Sequence, residues 1–318
     1  MIIKPFYLAF YLAIGALSFR AEAHPQVSPL FETPADMQPT WVDNVLDYFG
    51  ADGDYDDQKS IDMSYLPTAY YTPEKKFGVG LLMVGLYDLD EENDSQPSSL
   101  VVNSFVSMNG SYGVSFENMS YFNGDQNRLL FEVELHNEAA VYYGQGVSDG
   151  NNEANKHEFD EVLYSFKPMW LTQLRPNYFV GIGAEATYAK ANDLERIEGD
   201  TAYPAFYDLP SNLSSGVVVS SSYDSRDYRL NASQGWLFQV DAGLYYNDQS
   251  ESSFSRYDVE LANYINLTPV PGLIAWQVQG QFSQGDTPWN MLPDLGALVP
   301  CVVFIKASIV PRTWPWHK

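Results

Sequence analysis

The densest group of chemistry-bearing residues in the chain is Asp224, Arg226 and Asp227, an acid–Arg–acid run followed by Gly235-Trp236. A guanidinium between two carboxylates pairs charge inside a cavity or at its rim, because its planar fork matches a carboxylate. Two roles fit such a run: a structural brace where a strand starts, or a direct part in gating a substrate. Hydrolysis would need a histidine beside a nucleophile or a metal. The four histidines are His24, His136, His157 and His317. None falls in an H-E-x-x-H or H-x-x-E-H pattern for zinc. His136 shares parity with Glu132 and Glu134 and could serve a lipase-type site. A solvated histidine on a polar face reads the same residues equally. Asp52, Asp54 and Asp56 sit at calcium-ligand spacing, but the twelfth position is Met63 rather than Glu, and a solvated acidic linker has the same composition. Gly78, Gly80, Gly181 and Gly183 fall in strand-like stretches, where glycine marks close packing or curvature. No catalytic residue, cofactor or metal is expected, and the chain is not expected to be an enzyme.

The elements that would carry these residues are strands. Trp236, Phe238, Val240, Ala242, Leu244 and Tyr246 share one parity, and Gln239 and Asp241 fall on the other. Tyr257, Val259 and Leu261 alternate with Asp258 and Glu260; Ile274, Trp276, Val278 and Phe282 alternate with Gln277, Gln279 and Gln281. Leu129, Phe131, Val133 and Leu135 stand against Arg128, Glu132, Glu134 and His136. Period-2 alternation over about ten residues specifies a strand with one apolar and one polar face. Pro269, Pro271 and Gly272 predict a turn, and Asn109-Gly110 a hairpin. Ten or eleven strands are predicted before residue 285. Short turns are expected to alternate with long polar loops, among them Asp88–Gln96, Gly144–Glu158 and Asp193–Asn212, as in outer-membrane barrels. Strands this long, apolar on one side, suit lipid outside and water inside. Trp236, Tyr245, Tyr246, Trp276 and Trp289 are expected in interfacial aromatic girdles, with ordinary core packing as the alternative.

Of 318 residues, 45% are hydrophobic, yet no run of about 18 consecutive apolar residues follows the N-terminus, so a membrane role would rest on strands. The formal charge of −24 argues against nucleic acid and against an anionic bilayer surface as partners. A single cysteine, Cys301, excludes an intramolecular disulfide framework. Lys4, the apolar stretch Phe6–Leu17 and Ala21-Glu22-Ala23 compose a signal peptide with cleavage before His24. Residues 24–62 then read as a polar N-terminal periplasmic segment.

Five segments carry a resemblance: PTAYYTPEKKFGVG (67–80), SSLVVNSFVSMNGSYGVSFENMSYF (98–122), VYYGQG (141–146), YDSRDYRLNASQGW (223–236) and WNMLPDLGA (289–297). Together they resemble the bacterial surface antigen family, the outer-membrane barrel domain of BamA/TamA-type proteins. The family pattern places D-x-R-D…G-W at a late barrel strand, here Asp224, Arg226, Asp227, Gly235 and Trp236. It places W..LP.LG before a loop carrying R-G-F or R-G-Y, here Trp289, Leu292, Pro293, Leu295 and Gly296. The resemblance implies an all-β fold, a transmembrane antiparallel β-barrel of outer-membrane type, over residues 63–297. It leaves no room for POTRA repeats. It further implies outer-membrane lipid as partner, protein or lipid as cargo, and work in protein or lipid insertion or translocation at the outer membrane. A passive pore or structural barrel is the alternative, and an outer-membrane hydrolase a weaker one.

The chain departs from the pattern after Ala297. No R-G-F follows, and residues 298–318 show no alternating strand. Read in the neighbouring frame, Pro300 through Val310 can encode MRGFYQGQYR with suitable synonymous codons. Residues 298–318 are therefore expected to be an out-of-frame tail, with the C-terminal barrel strands missing.

Overall fold

The structure, a computed structural model, describes residues 48, 59–89, 96–143, 156–196, 209–229, 232–267, 272–293 and 301–310, the backbone alone for 195–196 and 301–310. The signal peptide, most of 24–62, Asp52–Asp56, Leu295, Gly296 and residues 311–318 lie outside them.

Inward-facing polar residues and outward-facing apolar residues alternate most clearly along the strands of the second half, and the chain resolves them by one up-and-down sheet. Its strands are β1 (Asp62–Thr72), β2 (Lys76–Tyr87), β3 (Ser98–Ser107), β4 (Tyr112–Phe122), β5 (Asn127–Tyr142), β6 (His157–Arg175), β7 (Tyr178–Arg196), β8 (Asn212–Asp224), β9 (Gly235–Asn247), β10 (Ser252–Asn266), β11 (Leu273–Gly285) and β12 (Cys301–Val310). Each pairs antiparallel with the next in sequence order. Eleven strands precede residue 286, as the periodicity predicts. Among the described residues β1 and β12 are not paired with each other, so the sheet keeps two edges. Pro67 sits in the middle of the β1 edge, opposite Leu81 of β2, where a residue without an amide donor is tolerated.

The parity read from β9 holds in three dimensions. Leu244 is 64% exposed on the outer face and Tyr245 4% on the inner one. Along the outer face Trp236, Phe238, Leu244, Tyr246, Tyr257, Val217, Val219, Ile182, Phe166 and Trp170 are exposed, the surface a bilayer would cover. The inner face carries Arg128, Ser165, Glu185, Thr187, Ser214, Ser220, Ser222, Asp224 and Asn247, all buried. Glycine works as expected at the inner face. The Tyr245 ring fills the place of missing side chains at Gly216 and Gly243, where an added Cβ would lie 2.4 and 2.3 Å from it.

Three expectations change. Tyr245 is not a girdle residue: its parity is opposite to Trp236, and its hydroxyl donates inward to Glu185 at 2.7 Å. The chain from Cys301 to Val310 is not strandless: it pairs with β11 from Phe282↔Cys301 to Leu273↔Val310. A run rich in β-branched residues favours extended backbone, and the edge of β11 offers it free donors and acceptors. Short turns and long loops also do not strictly alternate by side. The three longest connections, 143–156, 197–211 and 286–300, share what is termed here the upper rim, but so do the short turns 73–75, 108–111 and 248–251. The lower rim carries 88–97, 123–126, 176–177, 225–234 and 267–272. Strands β6 and β7 run farther than predicted at this upper rim, β7 continuing through Asp193 to Arg196.

Candidate functional site in the lower lumen

The sheet is curved enough for β5 to touch β8 across its concave face. The Arg128 guanidinium donates to Asp224 at 3.0 Å, past the two intervening strands. It also holds Asp125 of the β4–β5 turn with two bonds, at 2.6 and 2.7 Å. Its guanidinium carbon lies 3.8 Å from the centre of the Phe179 ring and 5.4 Å from that of Tyr121. Arg128, Asp224, Phe179 and Tyr121 are all buried. Paired, hydrogen-bonded on several edges and stacked on aromatic faces, the charge meets the conditions under which burial is tolerated.

Asp224 is shared. Arg226 returns on it through Nε at 2.8 Å and through a terminal nitrogen at 3.1 Å, and its amide donates to Oδ1 at 3.3 Å. Burial works against the Arg226 charge, but the Asp224 carboxylate more than offsets it and holds its pKa above the ordinary arginine value. Asp227 does something different. Its carboxylate accepts the amides of Tyr228, Ser233 and Gln234 at 3.0, 2.8 and 3.2 Å, and the Ser233 hydroxyl. It ties off the loop between β8 and β9. The neck of that loop is a short ladder, with Ser225 N–H to the Trp236 carbonyl and Asp227 N–H to that of Gln234. Gly235 closes it at φ +112°, where any Cβ would stand 2.2 Å from the Ser225 carbonyl oxygen. Only glycine fits there.

Within this loop Tyr228 is buried, and the Arg229 amide donates to Gln96 Oε1 at 3.3 Å. Gln96 belongs to the β2–β3 connection, on the far wall. Burial, with Arg226 and Arg128 nearby, lowers the Arg229 guanidinium below the usual value.

The predicted W..LP segment enters from the upper rim. Trp289–Met291 forms a 3-10 turn. Trp289 Nε1 donates to the Pro210 carbonyl at 3.0 Å, and its ring meets Phe159 edge-on at 5.6 Å. Met291 is buried against Val218, Tyr245 and Phe254 of the inner face. Trp289 is therefore a packing residue of the upper lumen and not a girdle residue. Leu292 and Pro293 follow, half-buried. Trp236 and Trp276 do form an outer aromatic row, edge to face at 5.6 Å on either side of Asn263.

The structure thus gathers Asp224, Arg226, Asp227 and Gly235 into one body at the lower rim, with Trp236 on its outer face and Trp289 elsewhere. Sequence reasoning missed Arg128, Asp125, Tyr121 and Arg229 as members. Arg128 was visible as a lone cation on a polar face, but nothing local connects it to a residue 96 positions away. His136 lies apart, in the upper half. Its ring nitrogens face Glu134 at 3.2 Å and Glu161 at 3.5 Å, two carboxylates and no hydroxyl. Among the described residues no group of acids, histidines or cysteine is arranged to hold a metal ion.

Strands of 10 to 19 residues, apolar and aromatic outside and polar inside, define the wall of an outer-membrane β-barrel. The Omp85 superfamily domain matches residues 102–292, more than half of the sequence. The chain belongs to that family, which carries the outer-membrane location with it. The matched stretch runs from β3 through the 3-10 turn and contains the whole arginine cluster. No curated protein matches the chain. Among solved structures, that of BamA from Haemophilus ducreyi lacking POTRA domains 1-3 is similar over 76% of this chain and 43% of that one, at 13% identity and a TM-score of 0.42. The chain spans less than half the length of that structure.

Proposed function

We propose that this chain serves the insertion or passage of protein or lipid cargo at the bacterial outer membrane, as a barrel wall with a charged, guarded lumen. The observation that supports this most is the coincidence of the Omp85 superfamily match with the residues that form the buried Arg128–Asp224–Arg226 cluster. The work is mechanical. Binding and conformation carry it, and no residue is assigned a covalent role. Refolded full-length chain in lipid vesicles is expected to speed the folding of an added, urea-unfolded outer-membrane barrel, read by heat-modifiable gel mobility. No acceleration over empty vesicles would overturn the reading.

A passive pore is the second reading, favoured by the inner face itself, where Glu117, Glu132, Glu185, Asp241, Asp258 and Glu260 share the inward register. Sugar-driven vesicle swelling without any effect on client folding would select it. A hydrolase reading would need lipase activity that disappears in His136→Ala.

A further inference from the structure

We propose that the outer wall holds one lipid of the surrounding bilayer, phosphate-bearing and acylated, in a groove across β4, β5 and β6. The proposal rests on the outer-membrane location of the wall and is independent of any cargo. Outward residues of the three strands face one another in two rows: Tyr112, Asn137 and Val162 above, and Val114, Leu135 and Tyr164 below. A cavity of about 340 Å³ lies among these six side chains, at the low end of the ~300–1,000 Å³ of small-ligand sites. Gly113 lies at its floor, and the Phe105 ring backs the sheet there, 2.6 Å from where a Cβ would stand. Tyr112 and Tyr164 are exposed and form its sides, Tyr164 stacked on Tyr188 at 5.9 Å. Below it, Phe131 meets Phe116 and Phe166 edge-on at 5.8 and 5.1 Å, so the cavity belongs to the upper half of the wall.

Polar groups mark the upper end of the groove. The upper row continues onto β7, where Lys190 stands opposite Val162, exposed in the outward register. Asn137 and Lys190 thus put an amide and a cation on the face that the bilayer covers, at the height of the β3–β4 turn. Asp160, one step above Val162 and also exposed, sits on the water side of Lys190. Polar groups on a lipid-facing wall need partners, and the headgroup layer supplies them. Charge and shape then select the occupant. A phosphate answers Lys190, the ester carbonyl beneath it accepts from the Asn137 amide, and one acyl chain lies along Val114 and Leu135. From Tyr112 to Phe116 the wall descends about 13 Å at ~3.3 Å per residue. That is half of the ~25 Å apolar band of such a wall, the reach of one leaflet.

The test uses the full-length chain refolded in phosphatidylcholine vesicles doped with phosphatidylglycerol that carries a diazirine midway along one acyl chain. After irradiation, adducts are mapped by peptide mass spectrometry. Label is expected to concentrate on Val114 and Leu135, above that on Ile182, Val217 and Val219, which are exposed on the outer face of β7 and β8. Diacylglycerol with the same labelled chain is expected to show no such preference. Lys190→Gln is expected to lower the label in the groove about fivefold, the scale of one lysine at an anionic lipid surface. Asn137→Leu is expected to lower it about threefold, the scale of one hydrogen bond. Label on β7 and β8 is expected to stay unchanged in both. Equal labelling of groove and reference face in the native chain overturns the site and leaves only bilayer contact without selection. Diacylglycerol that labels the groove as strongly as phosphatidylglycerol overturns the role of the phosphate, and it decides the matter on the native chain even where a variant fails to fold. Unchanged groove labelling in folded Lys190→Gln overturns it as well.

Discussion

Two segments enter the lumen from opposite rims, and opposite physics holds them. From the lower rim the β8–β9 loop is fixed by charge: Asp224 between Arg128 and Arg226, and Asp227 gathering amides. From the upper rim the turn Trp289–Met291 is fixed by contact, with Met291 against Val218, Tyr245 and Phe254, and Trp289 against Phe159. The charged end is specific and brittle, since each member is needed to compensate the next. The apolar end is graded, since dispersion and burial scale with the atoms present.

Breaking the charged end should cost most. Arg128→Ala leaves Asp224 buried with Arg226 alone, and loss of one partner from such a cluster costs about 3–5 kcal/mol. Urea titration of the refolded protein, followed by tryptophan fluorescence, is expected to show a large fall in midpoint; an unchanged midpoint would mean that the cluster does not brace the wall. Met291→Ala removes the apolar anchor and is expected to cost about 2–4 kcal/mol in the same titration. A cost equal to that of Arg128→Ala would erase the contrast between the two ends. Gly235→Ala forces a Cβ onto the Ser225 carbonyl at positive φ and is expected to cost about 1–3 kcal/mol, with faster amide exchange at Ser225 and Asp227. Trp289→Phe keeps most of the ring and loses the bond to Pro210, a loss of about 1 kcal/mol. If that variant proves as damaging as Met291→Ala, the upper anchor is polar after all.

The wall was legible because its rule is local. A period of two over Trp236–Tyr246 says which side chains face lipid, and the same count says that Tyr245 does not. Aromatic composition near a strand end suggests a girdle for Tyr245, but its parity points it inward to Glu185. The eleven strands before residue 286 followed from the same rule. The cluster was legible by half. Asp224, Arg226 and Asp227 announce themselves by spacing, whereas Arg128 joins them only because the sheet curves, and curvature has no short-range signature. Gly216 and Gly243 carry part of that information, since glycines flanking a tyrosine on facing strands mark where a ring lies down, but recognising them requires the register first. The strand Cys301–Val310 carries no period-two signature: a run such as CVVFIKASIV pairs with β11 without alternating.

Pro67 of β1 has a consequence for the company this protein keeps. A bare strand edge invites other chains to add themselves rung by rung, and a crowded envelope is full of unfolded strands. Prolines in edge strands turn their donor-less side outward, so a stranger zipping along β1 from Asp62 or from Thr72 loses a rung opposite Pro67, midway along an 11-residue strand. Short, transient guests can still seat on either half. A permanent polymer has a gap in every repeat.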